Sequence, residues 1–378
     1  MIDTDLTDDE AMLAKTARAY FADFVDNTYL NAQQASPDGY ETRRWQQMCE
    51  LGWTGINLPE RVGGAGGTLA EAGVVAREAG RAAIASPLLS TMRAGTVLDT
   101  LGRGVFDDLL ARIAAGSSAA LVAPADSPLR AEATGDGAYR LAGPAVTVEW
   151  LERSDDVVLL LPVAGGDDRS PAGGDTWLCA LLPGADLRAR AEAVPSIDNE
   201  RVARVDLDGL TLAAADVALD GIDAGTARYA LARANLLRAS AMVGGCEAVL
   251  ERTVQYATER VQFGQPIGGF QAVRHHLGRM LIALDAARLA CNEALTRAQP
   301  GAEESAIAAV ALFAAGRSYV EIVLTAAQIH GGVGTTTEHV LHHHFLRAKA
   351  MQLRGGKRAN RLREIHHALV VRREGSLW

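Results

Sequence analysis

Three groups of residues have types and spacings that could do chemistry. The first is Arg260-Val261-Gln262-Phe263-Gly264-Gln265-Pro266-Ile267-Gly268-Gly269-Phe270-Gln271. An arginine closing a long helical stretch, just ahead of Phe263-Gly264, can grip a pyrophosphate bidentately. Taken alone, it is better read as a charge that complements a helix C-terminus. The second is Gln328-Ile329-His330-Gly331-Gly332-Val333-Gly334. Its glycines could simply end a helix. A phosphate-binding loop is rejected, because no lysine follows and no strand precedes. The third is His339, His342, His343 and His344, with His330 nearby. His339 and His343 could share a helix face, but no Glu-x-x-His pattern accompanies them, and helix register alone does not build a ligand shell. A polar or interface face is expected there, and no metal.

These residues need a large scaffold, and the chain of 378 residues supplies one, with 48% hydrophobic residues. Abundant leucine, alanine and arginine with few aromatics favours helices over sheets. The net charge of −9 is dispersed, without a basic run. Nucleic acid is therefore not an expected partner, since phosphate backbones need a concentrated basic face. Lysine occurs only at Lys15, Lys349 and Lys357. Cys49, Cys179, Cys246 and Cys291 are widely spaced, so free buried thiols are expected rather than zinc or disulfides. The acidic first twenty residues lack a signal core, and no apolar run reads as long enough to span a bilayer. A soluble cytoplasmic protein is expected.

Along the chain, residues 1–115 read as helices. The spacing predicts one over Asp5–Asp26 with Thr7 as N-cap, one over Tyr40–Leu51 stopped by Gly52, and one opened by Thr68 after the loop Gly63–Gly67. Residues 116–220 turn to short β-type runs: Ala120–Ala123, Tyr139–Leu141, Val146–Trp150, Val157–Pro162, Trp177–Leu182 and Val202–Leu207. Gly165–Asp175 reads as a loop. Residues 221–378 are helical again. Thr226–Arg260, with Thr226 as N-cap, Gln271–Ala298 and Ala302–His330 are long enough for a four-helix bundle, and Glu338–Met351 and Ala359–Val371 complete it. The fold expected is mainly α with a central β domain: a helical N-terminal domain, a middle β-barrel or sandwich, and a C-terminal four-helix bundle.

Taken together, the motifs resemble those of the acyl-CoA dehydrogenase family, whose bundle carries Arg-x-x-Phe-Gly-x-x-Ile-x-x-Phe-Gln and then Gln-x-x-Gly-Gly-x-Gly. Leu51-Gly52-Trp53-Thr54-Gly55, Pro59-Glu60, Gly63-Gly64 and Glu78-Ala79-Gly80-Arg81 resemble its N-terminal signatures. The resemblance implies FAD lying across a subunit interface, with the adenine and pyrophosphate end held by the neighbouring subunit. The residues it assigns to that task are Arg260, Gln262, Phe263, Gln271, Gln328, Gly331 and Gly332.

The departures fall elsewhere. Removing an unactivated α-proton needs a positioned base, and the family uses a glutamate. Its usual position is occupied here by Gly355, within Arg354-Gly355-Gly356-Lys357. The alternative position on the first long bundle helix is Ala234, between Arg233 and Asn235. The family's Thr-Glu-Pro segment aligns with Val122-Ala123-Pro124-Ala125-Asp126. Its Trp-Ile-Thr strand, whose threonine sits beside the flavin ring, aligns with Thr147-Val148-Glu149, and a glutamate there would repel reduced flavin. A missing base typically costs about 10²–10⁴-fold in rate.

The resemblance therefore implies a subunit without a catalytic glutamate, in an α2β2 acyl-CoA dehydrogenase of the kind found in steroid-degrading bacteria. It would complete the FAD site of a homologous catalytic partner. The substrate would be an acyl-CoA, a steroid side-chain CoA ester among the options, and the acceptor of electron-transfer flavoprotein type. Two other readings stay open: a self-sufficient flavoenzyme with a relocated base, Glu149 or Glu364, and a structural interaction protein that binds no flavin.

Overall fold

The computed structural model describes residues 6–102, 104–123, 127–165, 176–297 and 302–366, the first two residues of the last segment by backbone alone. Pro124–Asp126, the expected loop Gly165–Asp175 apart from Gly165, and the part of the expected last helix beyond His366 lie outside these residues.

The N-terminal helices start where side chains can satisfy free backbone donors. Helix α1 (Asp8–Phe24) begins with a capping box. Thr7 Oγ1 accepts from the Glu10 amide at 3.3 Å, and Glu10 accepts from the Thr7 amide at 2.9 Å. Helix α2 (Asn27–Ala35), capped by Asp26, was not expected. It buries only Leu30 and Gln33, too few to make a pattern. Helix α3 spans Thr42–Glu50, and α4 (Leu69–Arg81) opens with a second capping box from Thr68 and Glu71. Helices α5 (Leu88–Leu101) and α6 (Asp107–Ala114) complete this region. Helix α5 is buried on nearly every side, so it carries no amphipathic stripe.

The β region holds β1 (Ala119–Val122), β2 (Arg130–Gly135), β3 (Ala138–Ala142), β4 (Val146–Glu149), β5 (Asp156–Pro162), β6 (Thr176–Pro183), the short helix α7 (Gly184–Arg188), β7 (Ala191–Val194), β8 (Val202–Val205), β9 (Thr211–Leu212) and β10 (Val217–Asp223). Strands β1-β5-β6-β10 form one sheet, β2-β3-β9 a second and β4-β8-β7 a third. Only the β1–β5 pair is parallel among the ladders of the first sheet. Strand β5 explains how the β region is joined to the helices. Val157, Leu159 and Leu161 enter the core shared with β2, β3 and β8, while Val158 and Leu160 enter a separate core with α5, α6 and the start of the next helix. A strand covered on both faces reads as a continuous apolar run.

Helix α8 (Ala224–Glu259) is capped by Asp223, not by the expected Thr226. The Thr226 amide instead donates to Asp223 Oδ1 at 2.9 Å, because the polypeptide turns helical two residues before Thr226. A two-residue hairpin, β11 (Val261–Gln262) and β12 (Gln265–Pro266), leads to α9 (Gln271–Thr296), α10 (Ala302–His330), α11 (Leu341–Arg354) and α12 (Arg358–His366). Helices α8 to α11 share one core around Met242, Val249, Tyr319, Ile322 and Met351. Helix α4 docks on α8 through glycine. A Cβ on Gly244 would lie 1.8 Å from the Arg77 carbonyl, and one on Gly80 would lie 1.9 Å from that of Ala241. Glu304–Thr335 is long and apolar enough to cross a bilayer by length and composition alone, but Arg317 and Glu321 interrupt it, and 56% of its apolar window is buried inside the protein, as in a core helix.

Candidate functional site

Tyr256 joins the two glycine-bearing motifs. Its ring stacks on His330 with centroids 4.2 Å apart and planes 17° from parallel. Its hydroxyl donates to the His330 carbonyl at 3.5 Å. One turn after Tyr256, α8 ends at Arg260, whose backbone is extended. Immediately after His330, Gly331 turns the chain out of α10 at φ 63°. The ends of α8 and α10 thus meet at one end of the bundle. Arg260, Gln262, Phe263, Gln271, Gln328, Gly331 and Gly332 are all exposed there.

Phe263 is the unusual member. The hairpin turn places Phe263 at φ 53° and Gly264 at φ 79°, the pair of positive values a type I′ turn requires. A bulky residue there costs on the order of 1 kcal/mol. The residue is 92% exposed, and its ring meets that of Phe270 edge-on with centroids 6.1 Å apart. The hairpin itself is anchored, by the Ile267 amide on the Arg260 carbonyl at 2.8 Å and Arg274 Nε on the Gly268 carbonyl at 2.9 Å. The Arg260 guanidinium has no side-chain partner among the described residues. A cation, an aromatic face and several amide side chains are therefore presented outward, at a shape unfavourable for the free chain.

The two positions for a catalytic carboxylate lie elsewhere. Ala234 is fully buried in α8, in the core that also holds Leu98, Ile113 and Leu160. Gly355 caps α11 in ordinary right-handed conformation and is buried beside Leu312. Between them lies a cluster of charge that the sequence reading missed. Glu149, at the end of β4, is 21% exposed and meets three guanidiniums: Arg238 of α8 directly, Arg93 of α5 at 3.4 Å and Arg354 of α11 at 3.5 Å. Arg354 also chelates Asp198 at 2.5 and 2.8 Å and donates to Ser196 Oγ at 2.8 Å. Arg93 Nη2 reaches Asn235 Oδ1 at 3.2 Å, and Arg347 lies 2.7 Å from Glu200. One signal was available: Arg93 and Arg238 each interrupt an apolar helical run, and such arginines need partners.

The electrostatics follow from burial and crowding. Burial alone would raise the Glu149 carboxyl, but Arg238, Arg354 and Arg93 outweigh it and hold it below the usual range. Burial likewise opposes Asp198, which Arg354 keeps low. Burial, reinforced by Arg238, pulls Arg93 down to about 9. A carboxylate so strongly held is a weak proton acceptor, which counts against Glu149 as a relocated base. Glu364 is worse placed, on α12, exposed and bridged to Arg361 at 2.7 Å.

The histidines are packing elements. His344 Nδ1 bonds Tyr319 at 2.8 Å, and His343 Nδ1 faces Asn199 Nδ2 at 3.3 Å. No metal-binding group occurs among the described residues. Burial lowers His330 and His343 to about 4 and His344 well below its ordinary value. The four cysteines are free, as expected.

The sequence of the acyl-CoA dehydrogenase N-terminal domain matches residues 7–106, and that of the C-terminal domain matches residues 221–370. The chain belongs to the acyl-CoA dehydrogenase family. It is 28% identical over 344 residues to acyl-CoA dehydrogenase IpdE2 of Mycolicibacterium smegmatis, covering 91% of this chain and 93% of that protein. Its fold is similar to that of one chain of the ChsE4-ChsE5 complex from Mycobacterium tuberculosis (TM-score 0.84, 24% identity, 97% of this chain and 99% of that chain). The Tcur3481-Tcur3483 steroid acyl-CoA dehydrogenase is equally similar (TM-score 0.84, 24% identity, 98% and 99%). FAD is the cofactor of this family. The exposed group at the bundle end suits the charged and aromatic end of a dinucleotide. The crowded cluster around Glu149 does not suit a flavin ring.

Proposed function

We propose that this chain is the non-catalytic subunit of a heteromeric FAD-dependent acyl-CoA dehydrogenase, and that it completes the FAD site of a homologous, glutamate-bearing partner. One contrast carries the reading. The surface that would reach a neighbour's cofactor is intact and outward-facing, while both positions for a proton-abstracting carboxylate hold residues without one, Gly355 and Ala234. The similarity to chains of two named steroid-type or paired assemblies supports it.

FAD bound at such an interface supplies the hydride acceptor for α,β-desaturation of an acyl-CoA. Arg260 would hold the pyrophosphate through its fixed positive charge and charge-assisted hydrogen bonds. Phe263 offers an aromatic face to the adenine end, and Gln262, Gln271 and Gln328 offer amide hydrogen bonds. Gly331 and Gly332 let the backbone approach closely, since no Cβ stands in the way. The assembly would be α2β2, the substrate a bulky acyl-CoA such as a steroid side-chain ester, and the electron acceptor of electron-transfer flavoprotein type.

Co-purification with a co-expressed homologue that carries the glutamate tests this. The lone chain should be colourless and inactive, and the complex yellow and active. A lone chain that retains FAD and dehydrogenates an acyl-CoA would refute the proposal.

A further inference from the structure

Arg93, Glu149, Arg238, Arg354 and Asp198 come from α5, β4, α8, α11 and the β7–β8 connection, so one cluster ties all three regions of the chain together. We infer that this ion cluster is a built-in plug: it fills the cleft where the chain's own flavin would lie, takes over the cohesion a cofactor would give, and so commits the chain to serving a partner's FAD. The inference rests on the proposed function and names the residues that enforce it.

The geometry supports a plug rather than a set of separate ion pairs. Glu149 stands at the place the family's flavin-facing threonine takes by sequence, and its Oε2 is shared by Arg93 and Arg238 while Oε1 faces Arg354. Arg238 Nη1 also donates to the Arg354 carbonyl at 2.6 Å, so the residue directly before Gly355 is pinned by side chain and backbone. The end of α11 therefore cannot move without breaking contacts to α8, β4 and the β7–β8 connection. A flavin ring entering here would displace at least one guanidinium from Glu149 and leave a buried charge without a partner, which is strongly unfavourable.

The charge count assigns unequal roles. Arg93, Arg238, Arg347 and Arg354 are four cations, against three carboxylates in Glu149, Asp198 and Glu200. Glu149 holds three of the cations and is the keystone. Arg93 is the surplus: Glu149, its one carboxylate contact, is already shared with Arg238 and Arg354, whereas Arg347 faces Glu200 and Arg354 also holds Asp198. Neutralising Glu149 leaves three guanidiniums facing one another, whereas replacing Arg93 by an apolar side chain of similar length balances the cluster at three and three.

Thermal melting of the lone full-length chain, with and without saturating FAD, tests this. The wild-type midpoint should not move with FAD. Glu149→Gln should lower it by about 5 °C or more, as expected for breaking a buried ion pair in a chain of this size. Arg93→Met should leave it unchanged or raise it. In the complex with the catalytic partner, Glu149→Gln should leave flavin content per complex at the wild-type value. A wild-type midpoint that rises with FAD, a Glu149→Gln midpoint equal to wild type, or loss of the complex's flavin in Glu149→Gln each overturns the plug. The wild-type measurement needs no variant and stands even where Glu149→Gln does not fold. Failure here, with flavin still lost from an Arg260→Ala complex, removes the plug but leaves the lending role intact; the reverse outcome removes the lending role alone.

Discussion

Acidification should loosen this protein through its histidines before its carboxylates titrate. His330, His343 and His344 are 3%, 4% and 0% exposed, and both ring nitrogens of His330 lack hydrogen-bond partners. Burial, with His339 adding to it at His330 and His342 at His343, brings those two rings to about 4. An unfolded histidine titrates near 6.5. The folded state holds the neutral ring, so between these values the unfolded chain binds more protons and stability falls as pH falls. From pH 7 to pH 5 each such ring withdraws roughly 2 kcal/mol, or about 4 kcal/mol for His330 and His343 together, and His344 acts in the same direction. Glu149 and Asp198 are held below their ordinary values, so their loss of stability falls at lower pH. Burial raises Glu200, whose contribution has the opposite sign and offsets part of the effect. Urea-unfolding midpoints of the lone chain at pH 7 and pH 5 measure the sum. His330→Phe keeps an aromatic ring against Tyr256 and removes one titrating group, so it should flatten the dependence while leaving stability at pH 7 nearly unchanged. A midpoint independent of pH over this range would refute the reasoning, as would an unaltered slope in His330→Phe.

Three further outcomes follow from other parts of the structure. Phe263→Gly relieves a positive φ and should leave the lone chain at least as stable by thermal melting, while the complex loses flavin more readily on dilution; a destabilised lone chain would show that the ring packs internally after all. Gly355→Glu brings a Cβ to 3.2 Å from the Gln352 carbonyl, a crowding that a shift of a few tenths of an ångström relieves, so the variant should fold at some cost in stability yet give no acyl-CoA dehydrogenase activity in the lone chain. Vigorous turnover would show that only the base was missing. Gly244→Ala should unfold the chain or lower its melting midpoint by more than any surface variant, because the Arg77 carbonyl occupies the space of the new methyl group. A wild-type midpoint would show that α4 and α8 are free to separate.

Much of this architecture was legible in the sequence where local chemistry is strong. Thr7 with Glu10 and Thr68 with Glu71 announce helix starts through reciprocal hydrogen bonds, and both starts occur where expected. Helix α10 occupies Ala302–His330, the range its apolar periodicity predicts. Helix α5 escaped because burial on all sides removes periodicity. Strands β7 and β10 escaped because they are short of buried apolar residues and depend on pairing with β8 and β6. Thr226 misled because Asp223, three residues earlier, is the better-placed acceptor.

The site was legible to a different degree. Its exposed half follows from two short motifs, and the structure adds the Tyr256–His330 stack that brings their ends together. The buried half was invisible, because Arg93, Glu149, Asp198, Arg238 and Arg354 are separated by long stretches of sequence and meet only through tertiary packing. By sequence alone Glu149 reads both as a repulsive neighbour of flavin and as a spare base. Three surrounding guanidiniums neutralise it, so neither role suits the charge it carries in the folded chain.

The central claim is that this chain holds a cofactor belonging to its partner, and Arg260→Ala tests it most directly. The complex of the variant with the wild-type catalytic subunit should be purified by gel filtration and its flavin counted by absorbance. Losing a charge-assisted contact to a pyrophosphate should weaken FAD retention by roughly 10–100-fold and leave much of the complex colourless, with assembly unaffected. Flavin content equal to that of the wild-type complex, under dilution that would strip a weakened site, would contradict the account.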